Sequence, residues 1–458
     1  MKPRDKIPYV LSAVILVTIA IAFTIFPPSP TFHANDAGNY VFSGVNLSDL
    51  GNKVSFYYVE YLPPKFLRLL KSIGLDEAVK QLDREEAALE RSLVFVHSEN
   101  VVKNLPRYTE LLIKLLSTCR KCAVAYLNMD PKIGGLEAAI DSYSAVLKAL
   151  GYIGVEPIIP LSPDQPVNND KLGIGLIHPV LESADMIVVT ADPPGLIIAE
   201  TLSARDFHIV LGAVLEWSEL LSQSEISPEA RIPHQSIISG PTNMTLLGYI
   251  GWITNSTYER GCGEETGRQY VYIRYYYGNV TAATGVTYHV WYVYTMHAGV
   301  GFRTYCGGQY YNHYPRLFET TIHWRSDTWP GQVLDDWQPK GNGSTRSVQY
   351  TVSGINGVKV SVSYSVGFTE PETPYFTIAD YTDPYMGRVR VRHWVERGNF
   401  SESSLSNLVF TVEPSSFGFL DPNKAGGVMP MIIYQSFYME LNTGDSVNIT
   451  FQVSLRGQ

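Results

Sequence analysis

Three short apolar runs each end in polar, ionisable side chains: His97-Ser98-Glu99-Asn100, Asn128-Met129-Asp130, and Thr190-Ala191-Asp192-Pro193-Pro194-Gly195. In an open sheet with helices on both faces, ligands bind beyond the carboxyl ends of the strands, where strand order reverses. If runs 93–97, 123–128 and 186–190 are neighbouring strands, Ser98, Asp130 and Asp192 are expected to converge on a polar ligand. The competing reading makes all three helix caps, with Asp192 before proline a natural helix start. Capping is the weightier account.

Catalytic signatures are missing. No Gly-x-Gly-x-x-Gly follows a strand-like run, and no Walker lysine, Gly-x-Ser-x-Gly elbow or Asp-Thr/Ser-Gly motif occurs, so no cofactor is expected. Glu319, His323 and Asp327 place metal-type ligands at strand spacing, yet the second histidine of a zincin motif is absent. No metal site is expected.

Two further groups point to recognition. The runs Tyr275-Tyr276-Tyr277 and Trp291-Tyr292-Val293-Tyr294 offer rings, Tyr276 and Trp291 among them, that stack on sugars if exposed and form cross-strand pairs if buried. Arg388, Arg390 and Arg392 alternate with valines, so their guanidinium groups share one strand face and can meet an anionic surface polymer or simply sit in solvent.

The elements that must position these groups fall into two patterns. From Asn39 to Leu221, strand-like runs (54–61, 93–97, 123–128, 157–160, 186–190) alternate with amphipathic stretches. Leu75, Val79, Leu82 and Leu89 recur at helical spacing, as do Leu105, Tyr108, Leu112 and Leu115, and 136–150 is a third helix candidate. Alternation of this kind predicts a Rossmann-like α/β domain over 31–221 with a mainly parallel sheet. A proline-bearing stretch, 222–240, reads as a linker. Beyond it the period becomes two: Ser347–Ser353 and Val358–Val366 flank Asn356-Gly357, a preferred hairpin pair, and Val447 to Leu455 alternates as well. An antiparallel β-sandwich is expected over 241–458.

Location is read from the chain's start. Residues 7–26 carry no charge, follow Lys2, Arg4 and Lys6, and precede Pro27, Pro28 and Pro30. Twenty residues at about 1.5 Å each span the hydrocarbon core, and the basic flank places Met1 in the cytoplasm. Residues 1–30 are therefore expected to be a cytoplasmic stub with a single-pass signal-anchor in the lipid bilayer; a cleaved signal is the competing reading.

Seven Asn-x-Ser/Thr triplets agree with export: Asn46, Asn243, Asn255, Asn279, Asn342, Asn399 and Asn448. Four cysteines in an exported chain favour disulfides, with Cys119 and Cys122 as one pair and Cys262 and Cys306 as the other. The net charge of −9, with 19 Lys+Arg against 27 Asp+Glu in residues 1–230, argues against a nucleic-acid partner. The expected protein is a membrane-anchored envelope glycoprotein that binds envelope glycans or other surface proteins, in adhesion or assembly. An extracytoplasmic hydrolase with its site at the strand ends is the alternative, and a secreted subunit of a surface polymer is a third.

Overall fold

The computed structural model describes 54–72, 75–82, 91–119, 121–128, 135–150, 174–175, 184–191, 194–200, 245–257, 262, 265–281, 287–324, 333–336, 346–353, 359–366, 376–381, 383, 387–398, 401–406, 409–412, 414–420 and 431–455. Strands dominate, and five helices occur among the described residues. The signal-anchor segment 7–26, the linker 222–240 and run 157–160 lie outside that set. Among the described residues no helix is long and apolar enough to cross a membrane.

By contacts the described chain forms a first unit, within 54–200 plus Tyr249–Asn255, and a second, 245–248 and 256–455. The elements of the first are β1 (Ser55–Tyr58), α1 (Pro64–Ser72), β2 (Val79–Gln81), β3 (Ser92–His97), α2 (Ser98–Lys103), α3 (Leu105–Thr118), β4 (Cys122–Leu127), α4 (Gly135–Ala149), β5 (Ile174–Gly175), β6 (Met186–Ala191), β7 (Pro194–Ala199) and β8 (Thr245–Thr257), which is shared. Every residue of β3, β4, β6 and β7 is buried. Continuous apolar runs of this kind belong to strands covered on both faces. Helix α3 begins where the Asn104 side chain accepts a hydrogen bond from the Arg107 N–H at 3.4 Å, and it buries Tyr108, Leu112, Leu115 and Leu116, a stripe at three- to four-residue spacing. Phe66 of α1 meets Phe95 of β3 edge-on at 4.8 Å.

The α/β expectation fails at the sheet. Strands β2, β1, β3 and β4 are parallel, but β4 pairs with β6 antiparallel and β6 with β7 antiparallel, before β7 returns to parallel pairing with β8. The hydrogen-bonded order of these strands runs β8-β7-β6-β4-β3-β1-β2, a mixed sheet and not a parallel Rossmann-like layer. The reason lies in the chain after Thr190. Leu196-Ile197-Ile198-Ala199 is apolar enough to be buried on both faces, and Ala191 pairs with Pro194, so the chain folds straight back as a hairpin where a capped helix was expected. A smaller correction concerns 75–82, the described part of the stretch from Leu75 to Leu89. In place of a helix, Ala78 donates back to the Leu75 carbonyl and Val79–Gln81 adds to the open edge of β1, whose backbone groups need partners.

In the second unit, β9 (Glu265–Thr281) and β10 (Thr287–Gly301) form a long antiparallel pair. Strands β11 (Arg303–Cys306) and β12 (Gln309–Asn312) make a small ribbon, and β13 (Pro315–Trp324), β14 (Val333–Asp336), β15 (Arg346–Ser353), β16 (Lys359–Val366), β17 (Phe376–Asp380), β18 (Arg388–Val395), α5 (Glu402–Leu405), β19 (Val409–Val412), β20 (Ser415–Leu420), β21 (Met431–Leu441) and β22 (Ser446–Leu455) follow. Strands β15 and β16 pair with each other; Asn356 and Gly357 lie outside the described residues. A second antiparallel layer runs β17-β18-β13-β21-β22. Between the layers Phe318, Val395, Phe410, Val412, Met439 and Leu441 form an apolar cluster. Gly299 permits the approach, since a Cβ there would sit 2.3 Å from Met439 Sδ.

That interior also holds buried polar groups. His297 Nε2 lies 2.7 Å from Gln269 Nε2, its Nδ1 is 3.3 Å from Thr320 Oγ1, and Tyr275 donates to Gln435 Oε1 at 2.6 Å. Burial, reinforced by the neighbouring His393, lowers the His297 pKa to about 3. An unfolded histidine titrates near 6.5. Between those values the unfolded chain binds a proton that the folded chain does not, so stability is full above about 6.5 and falls as the pH drops, by up to roughly 1.4 kcal/mol per unit from this group. Urea unfolding at pH 7 and pH 5 should show that loss, and the ring-proton resonance of His297 should not titrate between them. A midpoint near 6.5 for that resonance contradicts the buried placement.

Candidate functional site

In the parallel part of the sheet the chain moves outward from β1 to β2 and then returns to β3 on the other side of β1. The carboxyl ends of β1 and β3 therefore flank a switch point, where ligands collect in open sheets. Two residues past β1 stands Glu60, exposed and held at φ 66°, a left-handed conformation uncommon outside glycine and asparagine. Its Oε2 accepts from Asn100 Nδ2 at 2.8 Å, and its Oε1 lies 3.4 Å from Arg107 Nη1. Burial first, and the Glu60 carboxylate second, push the Tyr108 phenol up to about 12. Exposed Tyr61 lies against the buried His97 ring at 5.1 Å. Burial lowers the His97 pKa, against the opposing pull of Glu99, so the ring is neutral at pH 7.

This cluster has recognition chemistry: a carboxylate balanced by a guanidinium, a carboxamide and an aromatic face. Among the described residues the cluster shows no nucleophile hydrogen-bonded to a base. Ser98 is fully buried, and a Cβ on Gly135 would come within 2.5 Å of its Oγ; it packs α2 against α4. His97 Nδ1 is 3.8 Å from Glu99 Oε2, beyond hydrogen-bond distance.

Of Ser98, Asp130 and Asp192, only Ser98 is among the described residues, but the directions of the strands that precede them are set. Thr190, near the end of β6, pairs with Ala123 near the start of β4, and Leu127 pairs with Met186. Strand β6 thus ends at the opposite end of the strands from Ser98. Asn128, at the end of β4, is buried and donates to the Ala184 carbonyl at 2.8 Å. Sequence reading missed Glu60, Arg107 and Tyr108. The order β2-β1-β3 was the information needed, and only the position of Glu60 directly after an apolar run hinted at it.

For the aromatic runs the buried alternative holds. Tyr276 and Trp291 are 4% and 1% exposed, within the cross-strand pairs Tyr276–Tyr292 at 5.8 Å and Tyr277–Trp291 at 5.4 Å. Because this part of β9 and β10 is covered on both faces, no sugar-stacking platform exists at these rings. The large exposed aromatics are elsewhere and include Tyr61, Tyr305, Tyr310, Tyr381 and Tyr434.

Arg388, Arg390 and Arg392 do share one face of β18, half-buried, with the valines beneath. Two of them have a partner within the fold. Glu319 on β13 takes a hydrogen bond from Arg390 Nη2 at 3.0 Å and another from Arg392, and both guanidinium groups lie over the Tyr381 ring, at 5.7 and 5.3 Å. Partial burial pushes the Glu319 pKa up, but the hydrogen bonds and charges of the two arginines outweigh it and hold the carboxyl below its ordinary range. His323 shares this outer face, Asp327 lies outside the described residues, and among those residues no metal-binding group of three ligands occurs. Cys119–Cys122 and Cys262–Cys306 are both disulfide-bonded.

Of the sequons, Asn46, Asn243, Asn342 and Asn399 lie outside the described residues. Asn255 is half-buried on β8, Asn279 lies on β9 opposite His289, and Asn448 is exposed on β22.

No protein-family model matches the chain, and no curated protein matches it in sequence. Among solved structures, the Clostridium perfringens NetB toxin in its membrane-inserted form is aligned over 46% of this chain and 93% of its own, with 7% identity and a TM-score of 0.18. A second, described as a pore forming protein, is aligned over 46% and 88%, with 6% identity and a TM-score of 0.20. Superpositions this poor carry no argument about fold or activity.

The switch-point cluster is testable by its strain. Glu60→Ala removes a carboxylate that Asn100 and Arg107 both use, at a cost of about 1 kcal/mol, and leaves a Cβ at positive φ. Glu60→Gly loses the same contacts but accepts that backbone conformation, recovering up to about 1 kcal/mol. Urea midpoints should rank wild type above glycine and glycine above alanine; alanine equal to or above glycine would show that Glu60 is not held at positive φ.

Proposed function

We propose that this chain is an extracytoplasmic protein of the cell envelope, anchored in the bilayer through residues 7–26 and glycosylated. Its role is binding, adhesion or assembly, with envelope glycans or other surface proteins as partners. The observation that carries the reading is the oxidised state of all four cysteines in two disulfides. Such bonds persist in oxidising compartments and are reduced in most cytosols. The charge-free stretch behind a basic start supports the anchor and its orientation.

A binding role is supported by what the polar clusters are built to do. Glu60, Asn100 and Arg107 satisfy one another at a strand-end mouth, and Arg390 and Arg392 are braced on Glu319. Both arrangements fix side chains at a surface without placing a nucleophile beside a base. The outer face of β13, β18 and β21, with half-buried arginines and exposed Tyr381 and Tyr434, is the recognition surface in this reading.

Fractionation tests it. The protein should remain in carbonate-washed membranes with a peptide containing Met1, and alkylation before reduction should leave all four cysteines unlabelled. A soluble product starting near His33–Ala37 would overturn the anchor and favour the secreted-subunit alternative. Four freely alkylated cysteines in freshly isolated protein would overturn the extracytoplasmic assignment itself.

A further inference from the structure

Strand β22 carries Asn448-Ile449-Thr450. Successive side chains on a strand point to opposite faces, and here Ile449 is fully buried while Asn448 is exposed. Asn448 and Thr450 therefore stand together on the outside of the second layer, with the apolar residue between them anchored in the core. Their polar atoms hydrogen-bond with one another and with Ser436 of β21. Asn448 Nδ2 donates to Thr450 Oγ1 at 3.3 Å, Ser436 Oγ donates to Asn448 Oδ1 at 2.9 Å, and Thr450 Oγ1 lies 3.3 Å from Ser436 Oγ. The acceptor nitrogen is thus in contact with the hydroxyl that its own triplet requires.

We infer that Asn448 is an N-glycosylation site, and the one favoured among the described sequons whose side chains can be compared. Asn255 is half-buried on β8, which has a strand on each side and buried residues, Thr254 and Ser256, as sequence neighbours. A branched sugar at that position has to be fitted into an interior strand. Asn448 is exposed on the outer face, and Tyr438, its partner across the strand pair, points the same way. The first sugars lie over β21, near Tyr438 and Ser436.

The chemistry requires a donor oligosaccharide linked through phosphate to a membrane lipid, presented by a transferase on the outer side of the membrane. The Asn448 amide nitrogen attacks the anomeric carbon and a C–N bond forms. The C–O bond to phosphate breaks, with its electron pair leaving on the lipid phosphate, and one amide proton passes to a base of the transferase. The inference rests on the extracytoplasmic reading, since that donor is used outside the cytoplasm.

Tryptic peptide mapping of the full chain purified from its own cells tests the site. Residues 425–456 form one tryptic peptide, bounded by Lys424 and Arg456, in which Asn448 begins the only sequon. That peptide should carry a glycan mass in wild type and in Thr450→Ser, and appear at its bare mass in Thr450→Ala. If it is bare in wild type while another sequon peptide is glycosylated, the assignment of Asn448 is overturned and the extracytoplasmic reading stands. If every sequon peptide is bare and the cysteines are free thiols, both fall.

Discussion

Two buried phenols hold the sheet at the point where its direction reverses. Tyr143 of α4 donates to the Thr190 carbonyl at 2.6 Å and accepts from the Gly195 N–H at 3.1 Å, so one oxygen joins both strands of the β6–β7 hairpin. The Tyr249 phenol of β8 is 2.9 Å from Thr190 Oγ1, and its ring fills the space above Gly195, where a Cβ would lie 2.1 Å from Cζ. Only glycine leaves room for that ring. Buried polar groups left unpaired cost about 1–3 kcal/mol each, so the hydroxyls and the hairpin backbone depend on one another. Through this contact β7 can take β8 as a parallel neighbour.

That reversal decides which strand ends lie on the same side of the sheet. In a parallel layer, β3, β4 and β6 would all end at one edge, and their trailing polar residues would meet. With β6 inverted, the side of the sheet near Ser98 holds the ends of β1, β2, β3, β4 and β7 and the start of β6. What gathers there is Glu60 with Asn100 and Arg107, a set whose charges and hydrogen bonds are matched internally. The groups with chemistry to offer are consequently surface groups: the arginines of β18 braced on Glu319, the exposed tyrosines, and the Asn448 triplet held by Ser436.

Local elements were more legible than their assembly. The spacing of Leu105, Tyr108, Leu112 and Leu115 marks α3, and the apolar runs at 93–97, 123–128 and 186–190 coincide with β3, β4 and β6, because these signals depend on which face is buried and not on what buries it. Strand direction leaves no such trace. A continuous apolar run reads the same whether its neighbours are parallel or antiparallel, so β6 looked like another strand of a βαβ series. Burial on both faces also hid the role of Tyr276 and Trp291, since alternation distinguishes in from out only when one face meets water. Glu60 was invisible for a third reason: its backbone conformation is imposed by tertiary contacts against its own preference.

The direction of β6 beside β4 is the claim on which this account turns, and a pair of introduced cysteines reads it directly. Leu127 and Met186 are cross-strand partners in the antiparallel register, close enough for a disulfide, which spans Cα atoms about 4.4–6.8 Å apart. After oxidation, peptide mapping of Leu127→Cys with Met186→Cys should recover the two linked, while Leu127→Cys with Thr190→Cys should stay unlinked. Linkage in the second variant and not in the first would mean that β6 runs parallel to β4.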